Sequence, residues 1–233
     1  LVRGTATVGA LAAVLLLTVC CANATPQGRI VVHGAASGSS LHLSVRGSHL
    51  IVRGWMSRSH PTGCRFAHGR SLAVCSLRDV GAIEVVMGPH GDFVEVEDRL
   101  PAPLTARLGG GSDKFIGNGE PDTCYPEGAR RNRCVGGAGN DICITGNQNS
   151  DCVGGPGDDY CKHGAGSDGC WGGPGDDICI MGAGEDGCHG GSGRDRLYGG
   201  PSPDQLYGGG GYDHCDGLPG RGKSHSCEAG PRH

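Results

Sequence analysis

Between residues 28 and 97 the large apolar side chains come in short runs separated by glycine, proline and charge. Arg29–His33, Leu41–Arg46 and His49–Arg53 are three such runs, and Leu41, Leu43 and Val45 alternate with polar residues. Alternation with a period of two marks a strand with one buried face. Leu72–Leu77, Ile83–Met87 and Phe93–Val96 are predicted as further strands, and no stretch here keeps the period of a helix.

From Leu108 the pattern changes: one bulky residue returns every nine positions, set among glycine and acid. The units read LGGGSDKFI (108–116) and GNGEPDTCY (117–125). After a single inserted Pro126 they continue as EGARRNRCV, GGAGNDICI, TGNQNSDCV, GGPGDDYCK, HGAGSDGCW, GGPGDDICI, MGAGEDGCH, GGSGRDRLY, GGPSPDQLY and GGGGYDHCD, ending at Asp216. Ten of the twelve units have Asp in sixth place and all twelve have Cys, Leu or Phe in eighth, which sets the frame apart from glycine-rich low complexity. Gly88-Pro89-His90-Gly91-Asp92 looks like a decayed copy of these turns.

This register resembles the RTX, or hemolysin-type, calcium-binding nonapeptide repeat, GGxGxDxUx. The resemblance covers nearly half of the chain. It implies an all-β fold, a right-handed parallel β-roll in which six residues of each unit turn and three form a short strand. Two units make one coil, and each Ca²⁺ sits between turns stacked on the same side. The residue types suit that chemistry. Glycine permits positive φ and close approach of carbonyls, calcium takes six to eight oxygens, and the eighth residue points into the core. The expected organisation is a signal peptide over 1–24, a β-rich cap over 25–107, calcium-binding roll repeats over 108–216 and a loose tail over 217–233.

Partners on one side of such a roll lie 18 residues apart. One edge carries Asp122, Asp141, Asp159, Asp177, Asp195 and Asp213, with glycines such as Gly136, Gly139, Gly154, Gly157, Gly172, Gly175, Gly190 and Gly193 shaping the turns. The other carries Asp113, Asp168, Asp186 and Asp204, with Asn132 and Ser150 at two sixth places and arginines in the turn EGARRN. These aspartates and glycines are the expected calcium site, one row nearly full and the other occupied only around Asp168, Asp186 and Asp204.

In the roll, the eighth-place cysteines fall in the core. Grouping them in successive pairs gives Cys124–Cys134, Cys143–Cys152, Cys161–Cys170 and Cys179–Cys188, with Cys215–Cys227 and Cys64–Cys75 outside the ladder. A row of unbridged buried cysteines and a thiolate metal site stay open as alternatives. A disulfide needs Cα atoms about 4.4–6.8 Å apart, whereas packed sheets usually stand roughly 10 Å apart, so the sheets of this roll are expected to lie close together.

Composition sharpens the picture. With 47 glycines and 4% aromatics the chain lacks the side chains of an ordinary core. The net charge of −4 hides an asymmetry, because residues 108–216 hold 17 Asp/Glu against 7 Lys/Arg. Such a segment repels itself until cations bind. No basic stripe with aromatics suggests nucleic acid. The N-terminus has Arg3, an apolar run from about Val8 to Val19 and Ala22-Asn23-Ala24, the three parts of a secretory signal. That run is short for a membrane span, and lipid attachment at Cys20 is a minor alternative. Export to an oxidising compartment fits the even cysteine count that remains. The best-known relatives of the repeat use a C-terminal export signal instead, so their toxin activity is not carried over.

The sequence has no HExxH, GxSxG or Walker loop. A hydrolase in 25–107, with His60, His68, His90 and Asp92 as its only candidate cluster, ranks below a non-catalytic secreted calcium-binding roll. A surface or carbohydrate-binding solenoid using Trp171, Tyr160, Tyr198 and Tyr207 is the third reading.

Overall fold

A computed structural model describes residues 28–57, 64–69, 71–128, 130–217 and 222–228. The expected signal segment, and His60 with it, lie outside these residues. Two sheets and no helix make up the described chain.

The chain alternates between the sheets, as a nine-residue unit with one short strand requires. The first sheet has nine strands in the spatial order Gly28–His33, Val80–Val86, Leu104–Gly109, Asp122–Pro126, Ile142–Ile144, Tyr160–Lys162, Ile178–Ile180, Arg196–Tyr198 and His214–Asp216. All are parallel. The second sheet runs in parallel through Ser40–Arg46, Phe93–Val96, Lys114–Ile116, Asn132–Val135, Ser150–Val153, Gly169–Pro174, Gly187–Gly193, Gln205–Gly211 and Lys223–His225. Beyond Ser40–Arg46 it turns antiparallel through His49–Gly54, Leu72–Ser76 and Cys64–Phe66. The fold is an all-β parallel β-solenoid, consistent with the expected roll.

Repeats stack in register, so each eighth place lies beside the next. Cys124, Cys143, Cys161, Cys179, Leu197 and Cys215 follow one another along the first sheet. Phe115, Cys134, Cys152, Cys170, Cys188 and Leu206 do so along the second. The inserted Pro126 appears as a register slip between Tyr125 and Pro126. Both sheets continue across residue 107 into the preceding segment, where Ile30, Val32, Ile83, Val85, Val94, Leu104 and Ala106 fill the core. Aliphatic side chains thus pack the N-terminal coils, sulfur most of the later ones, and Leu197 and Leu206 return near the C-terminal end. Residues 222–228 belong to a tail expected to be loose; instead Lys223–His225 pairs with Gln205–Tyr207 and ends the second sheet.

The sulfur pairing differs in part from the expectation. Cys64–Cys75, Cys124–Cys134 and Cys215–Cys227 are bridged as expected. Cys143–Cys152, Cys161–Cys170 and Cys179–Cys188 are not: the bonds are Cys152–Cys161 and Cys170–Cys179, and Cys143 and Cys188 remain buried thiols. Each core cysteine from Cys134 to Cys179 has one cysteine nine or ten residues earlier and another nine later, so successive grouping cannot choose between two registers. Both observed bonds close over a glycine turn of the first edge. The expected ones close over the second edge, where Thr145, His163 and Met181 are buried. Cα separations of 6.3, 6.4 and 6.6 Å across the three ladder bridges confirm that the sheets approach closely.

Candidate metal centre

Each coil turns twice, and each turn ends on its sixth-place residue just before a strand. In-register stacking therefore lines the sixth places up along two edges. Along the first edge, backbone N–H groups donate one coil onward: Asp122 to Asp141 Oδ1 (2.8 Å), Asp141 to Asp159 (2.7 Å), Asp159 to Asp177 (2.8 Å), Asp177 to Asp195 (2.9 Å) and Asp195 to Asp213 (3.0 Å). Glu228 ends the row, its carboxylate accepting from Asp213 N.

The second edge has the same ladder in two pieces. Ser39 N donates to Asp92 Oδ1 (2.5 Å), Asp92 N to Asp113 Oδ1 (2.9 Å) and Asp113 N to Asn132 Oδ1 (2.8 Å). Ser150 N donates to Asp168 Oδ1 (2.7 Å), Asp168 N to Asp186 (2.8 Å) and Asp186 N to Asp204 (3.0 Å). The break lies between Asn132 and Ser150. There the Arg131 guanidinium reaches both carboxylate oxygens of Asp151, at 3.1 and 2.8 Å.

One oxygen of each carboxylate is thus used, and the other is buried with no hydrogen-bond partner. This holds for Oδ2 of Asp92, Asp113, Asp141, Asp159, Asp168, Asp177, Asp186, Asp195, Asp204 and Asp213, and for Oδ1 of Asp122. Leaving a buried carboxylate half satisfied is costly, and the acidities follow. Loss of solvent raises Asp159 to about 8, with the neighbouring Asp141, Asp177 and Asp158 charges adding to the shift. Burial takes Asp113 and Asp122 to about 7 and Asp141, Asp168, Asp177, Asp186 and Asp195 to about 6. Asp92 and Asp204 are raised for the same reason. Two rows of desolvated, half-satisfied carboxylates fit a hard divalent ion.

Expected glycines fall into two kinds. A methyl group on Gly136, Gly154, Gly172 or Gly190 would collide with Oδ2 of the aspartate in its own turn. Gly139, Gly157, Gly175 and Gly193 have φ of 116°, 143°, 143° and 137°. At Gly157 a side chain would also strike the Gly139 carbonyl, so both backbone and space demand glycine there.

The structure brings all ten expected aspartates into these rows and adds Asp92 and Glu228. The signal for Asp92 was the decayed turn; Glu228 had none, because its place depends on the tail folding back. Among the described residues, Cys161, Cys170 and Cys179 have sulfurs close enough together for a metal, but all three are consumed in disulfides. That arrangement does not provide the thiolates a soft metal site needs.

Comparison with protein families finds the RTX calcium-binding nonapeptide repeat in four copies, at residues 132–151 and 189–222. No curated protein and no solved structure matches the chain.

Proposed function

We propose, for a chain that carries RTX calcium-binding nonapeptide repeats, a secreted, non-catalytic role in which calcium and disulfides together order the roll. The observation that carries this reading is the row of buried, unpartnered carboxylate oxygens from Asp122 to Asp213. Aspartates of successive coils, with carbonyls of the glycine turns, would hold the ion. Bound calcium supplies positive charge that offsets desolvation and mutual repulsion. The chain's own part is to stack the donors in register and close the core behind them. Binding free energy then becomes folding free energy.

Export is supported by the N-terminal signal pattern and by the five disulfides among the described residues, which favour an oxidising setting. Among the described residues no helix is long and apolar enough to cross a membrane. Affinity is expected in the range of extracellular modules, on the order of 10⁻⁴–10⁻³ M. Calorimetric titration of the disulfide-intact protein, with Tm followed by circular dichroism, tests the reading. Saturable uptake and a rise in Tm are expected, and indifference to both calcium and EGTA at millimolar levels overturns it.

A surface-binding role has one observation in its favour. Trp171, His189, Tyr207 and His225 form a row of near-parallel rings outside the second sheet, with centroids 6.2, 4.5 and 4.9 Å apart. Tyr160 and Tyr198 lie on the other sheet and cannot join it. Co-sedimentation of the wild type and Trp171→Ala with insoluble polysaccharides decides whether this row binds sugar.

A further inference from the structure

The two edges present the same carboxylates but differ at one place in the repeat. Every first-edge turn begins with glycine, at 117, 136, 154, 172, 190 and 208. The repeat turns of the second edge begin with Leu108, Glu127, Thr145, His163, Met181 and Gly199, so glycine occurs once. The first place touches the free carboxylate oxygen. At Gly136, Gly154, Gly172, Gly190, Gly199 and Gly208, a methyl group would run into Oδ2 of the aspartate five residues on. Where glycine stands, the space beside that oxygen is kept clear of side chains.

On the second edge the first place carries a side chain in all but the last of these turns. Leu108 and Met181 are fully buried, His163 is 3% exposed and Thr145 is 7% exposed. These residues are packed in order: Thr145 Oγ1 lies 2.9 Å from His163 Nδ1, and the same nitrogen lies 3.8 Å from Asp168 Oδ1. His163 Nε2 is buried without a hydrogen-bond partner, so the ring is enclosed. The backbone ladder is intact beneath them, since Thr145 N, His163 N and Met181 N each donate 2.8–2.9 Å to the coil that follows, as Gly136 N and Gly154 N do on the first edge. The second edge therefore keeps its stacking while carrying buried side chains at the places where the first edge has bare glycine.

We propose that calcium is confined to the first edge and the Asp204 turn, and that Thr145, His163 and Met181 exclude it from the turns of Ser150, Asp168 and Asp186. This rests on the reading that the roll binds calcium, and it narrows the site expected from sequence, which included Asp168 and Asp186. A calcium-independent second edge gives the roll a fixed seam. The first edge, whose turns are almost bare glycine, closes when the metal arrives. Calcium then zips one side of a solenoid already held at the other side and across the core by disulfides, in place of ordering a fully unfolded chain.

Hydrogen–deuterium exchange of the full disulfide-intact chain, in calcium and in EGTA, reads both edges at once. At calcium a hundredfold above its dissociation constant, turns 136–141, 154–159, 172–177 and 190–195 are expected to exchange about a hundredfold more slowly. Turns 145–150, 163–168 and 181–186 are expected to change little. Equal slowing on both edges overturns the proposal while leaving calcium binding intact. No slowing anywhere, with no calcium uptake by calorimetry, overturns the calcium reading itself. Ion counts by native mass spectrometry test the cause. Asp177→Asn is expected to lose an ion and Asp168→Asn none, whereas Met181→Gly is expected to gain one. Loss of an ion in Asp168→Asn, or an unchanged count in Met181→Gly, removes the exclusion argument.

Discussion

Asp141 N donates a 2.7 Å hydrogen bond to Asp159 Oδ1, while Asp159 Oδ2 stays buried and unpartnered. One carboxylate thus does two jobs: it ties a coil to its neighbour and leaves an oxygen for a metal. Replacement by alanine removes both. Asp159→Ala is expected to lower the calcium-bound Tm and the calcium stoichiometry, while Ser150→Ala leaves the stoichiometry unchanged. Calorimetric ion counts of the two variants check this, and equal losses contradict it.

Asp159→Asn separates the two jobs. The amide oxygen keeps the bond from Asp141 N, but the negative charge is gone. In EGTA above about pH 8, where Asp159 is ionised, this variant is expected to be more stable than the wild type, because an expensive buried charge has been deleted. In saturating calcium the order reverses. Thermal melts in both buffers provide the comparison, and a variant less stable in EGTA contradicts the desolvation argument.

Acidity gives a third expectation for the calcium-free protein. Burial raises the first-edge carboxyls from their ordinary 3.8 to about 6 for Asp141, Asp177 and Asp195, about 7 for Asp122 and about 8 for Asp159. Between pH 4 and 8 the folded state therefore holds more protons than the unfolded state. Stability is greatest below about pH 4 and falls as pH rises through these values. Calcium is expected to restore it at pH 8 and to matter little at pH 4. Denaturant titrations at the two pH values, with and without calcium, test the sign.

Glycine at two places in one turn is tested separately. Gly154→Ala places a methyl group against Asp159 Oδ2, and Gly157→Ala forces a side chain into φ 143° and against the Gly139 carbonyl. The first is expected to weaken calcium binding most. The second is expected to cost more than about 1 kcal/mol in stability with or without calcium. Folding curves and calcium titrations of the pair separate a lost site from a strained turn.

Sulfur gives the last expectation. Residues 28 onward should show two thiols on denaturation, at Cys143 and Cys188, both buried and with burial holding their acidity well above the usual thiol range. Neither should react with alkylating reagents in the folded state. The Cys143→Ser/Cys188→Ser variant should show none, with the other bridges unchanged, whereas Cys152→Ser is expected to cost about 2–3 kcal/mol. Peptide mapping without reduction checks the pairing, and a Cys143–Cys152 or Cys179–Cys188 peptide contradicts it.

Most of the architecture was legible because a nine-residue period leaves few ways to fold. One inward residue, one carboxylate and several glycines per unit specify a strand, a ligand and a turn, and repetition stacks them. All ten aspartates expected at the site lie in the two rows for that reason. Asp92 escaped because its unit stands apart from the unbroken frame, although its turn kept the Gly-Pro-His-Gly-Asp order. Glu228 escaped because a tail's return to the last coil leaves no periodic trace. The first-place contrast between Gly172 and His163 was printed in the units, yet it has no meaning until the position of Oδ2 is known.

The sequence by itself determined the beat of the solenoid, the rows of carboxylates and the sulfur core, since each follows from the spacing of residue types along one chain. Tertiary structure alone decided which of two similarly spaced neighbours each cysteine bonds, how far the sheets extend before residue 108, and which carboxylate oxygens are left without a partner. Those are questions of what lies opposite and how much space remains, and a one-dimensional period does not contain them.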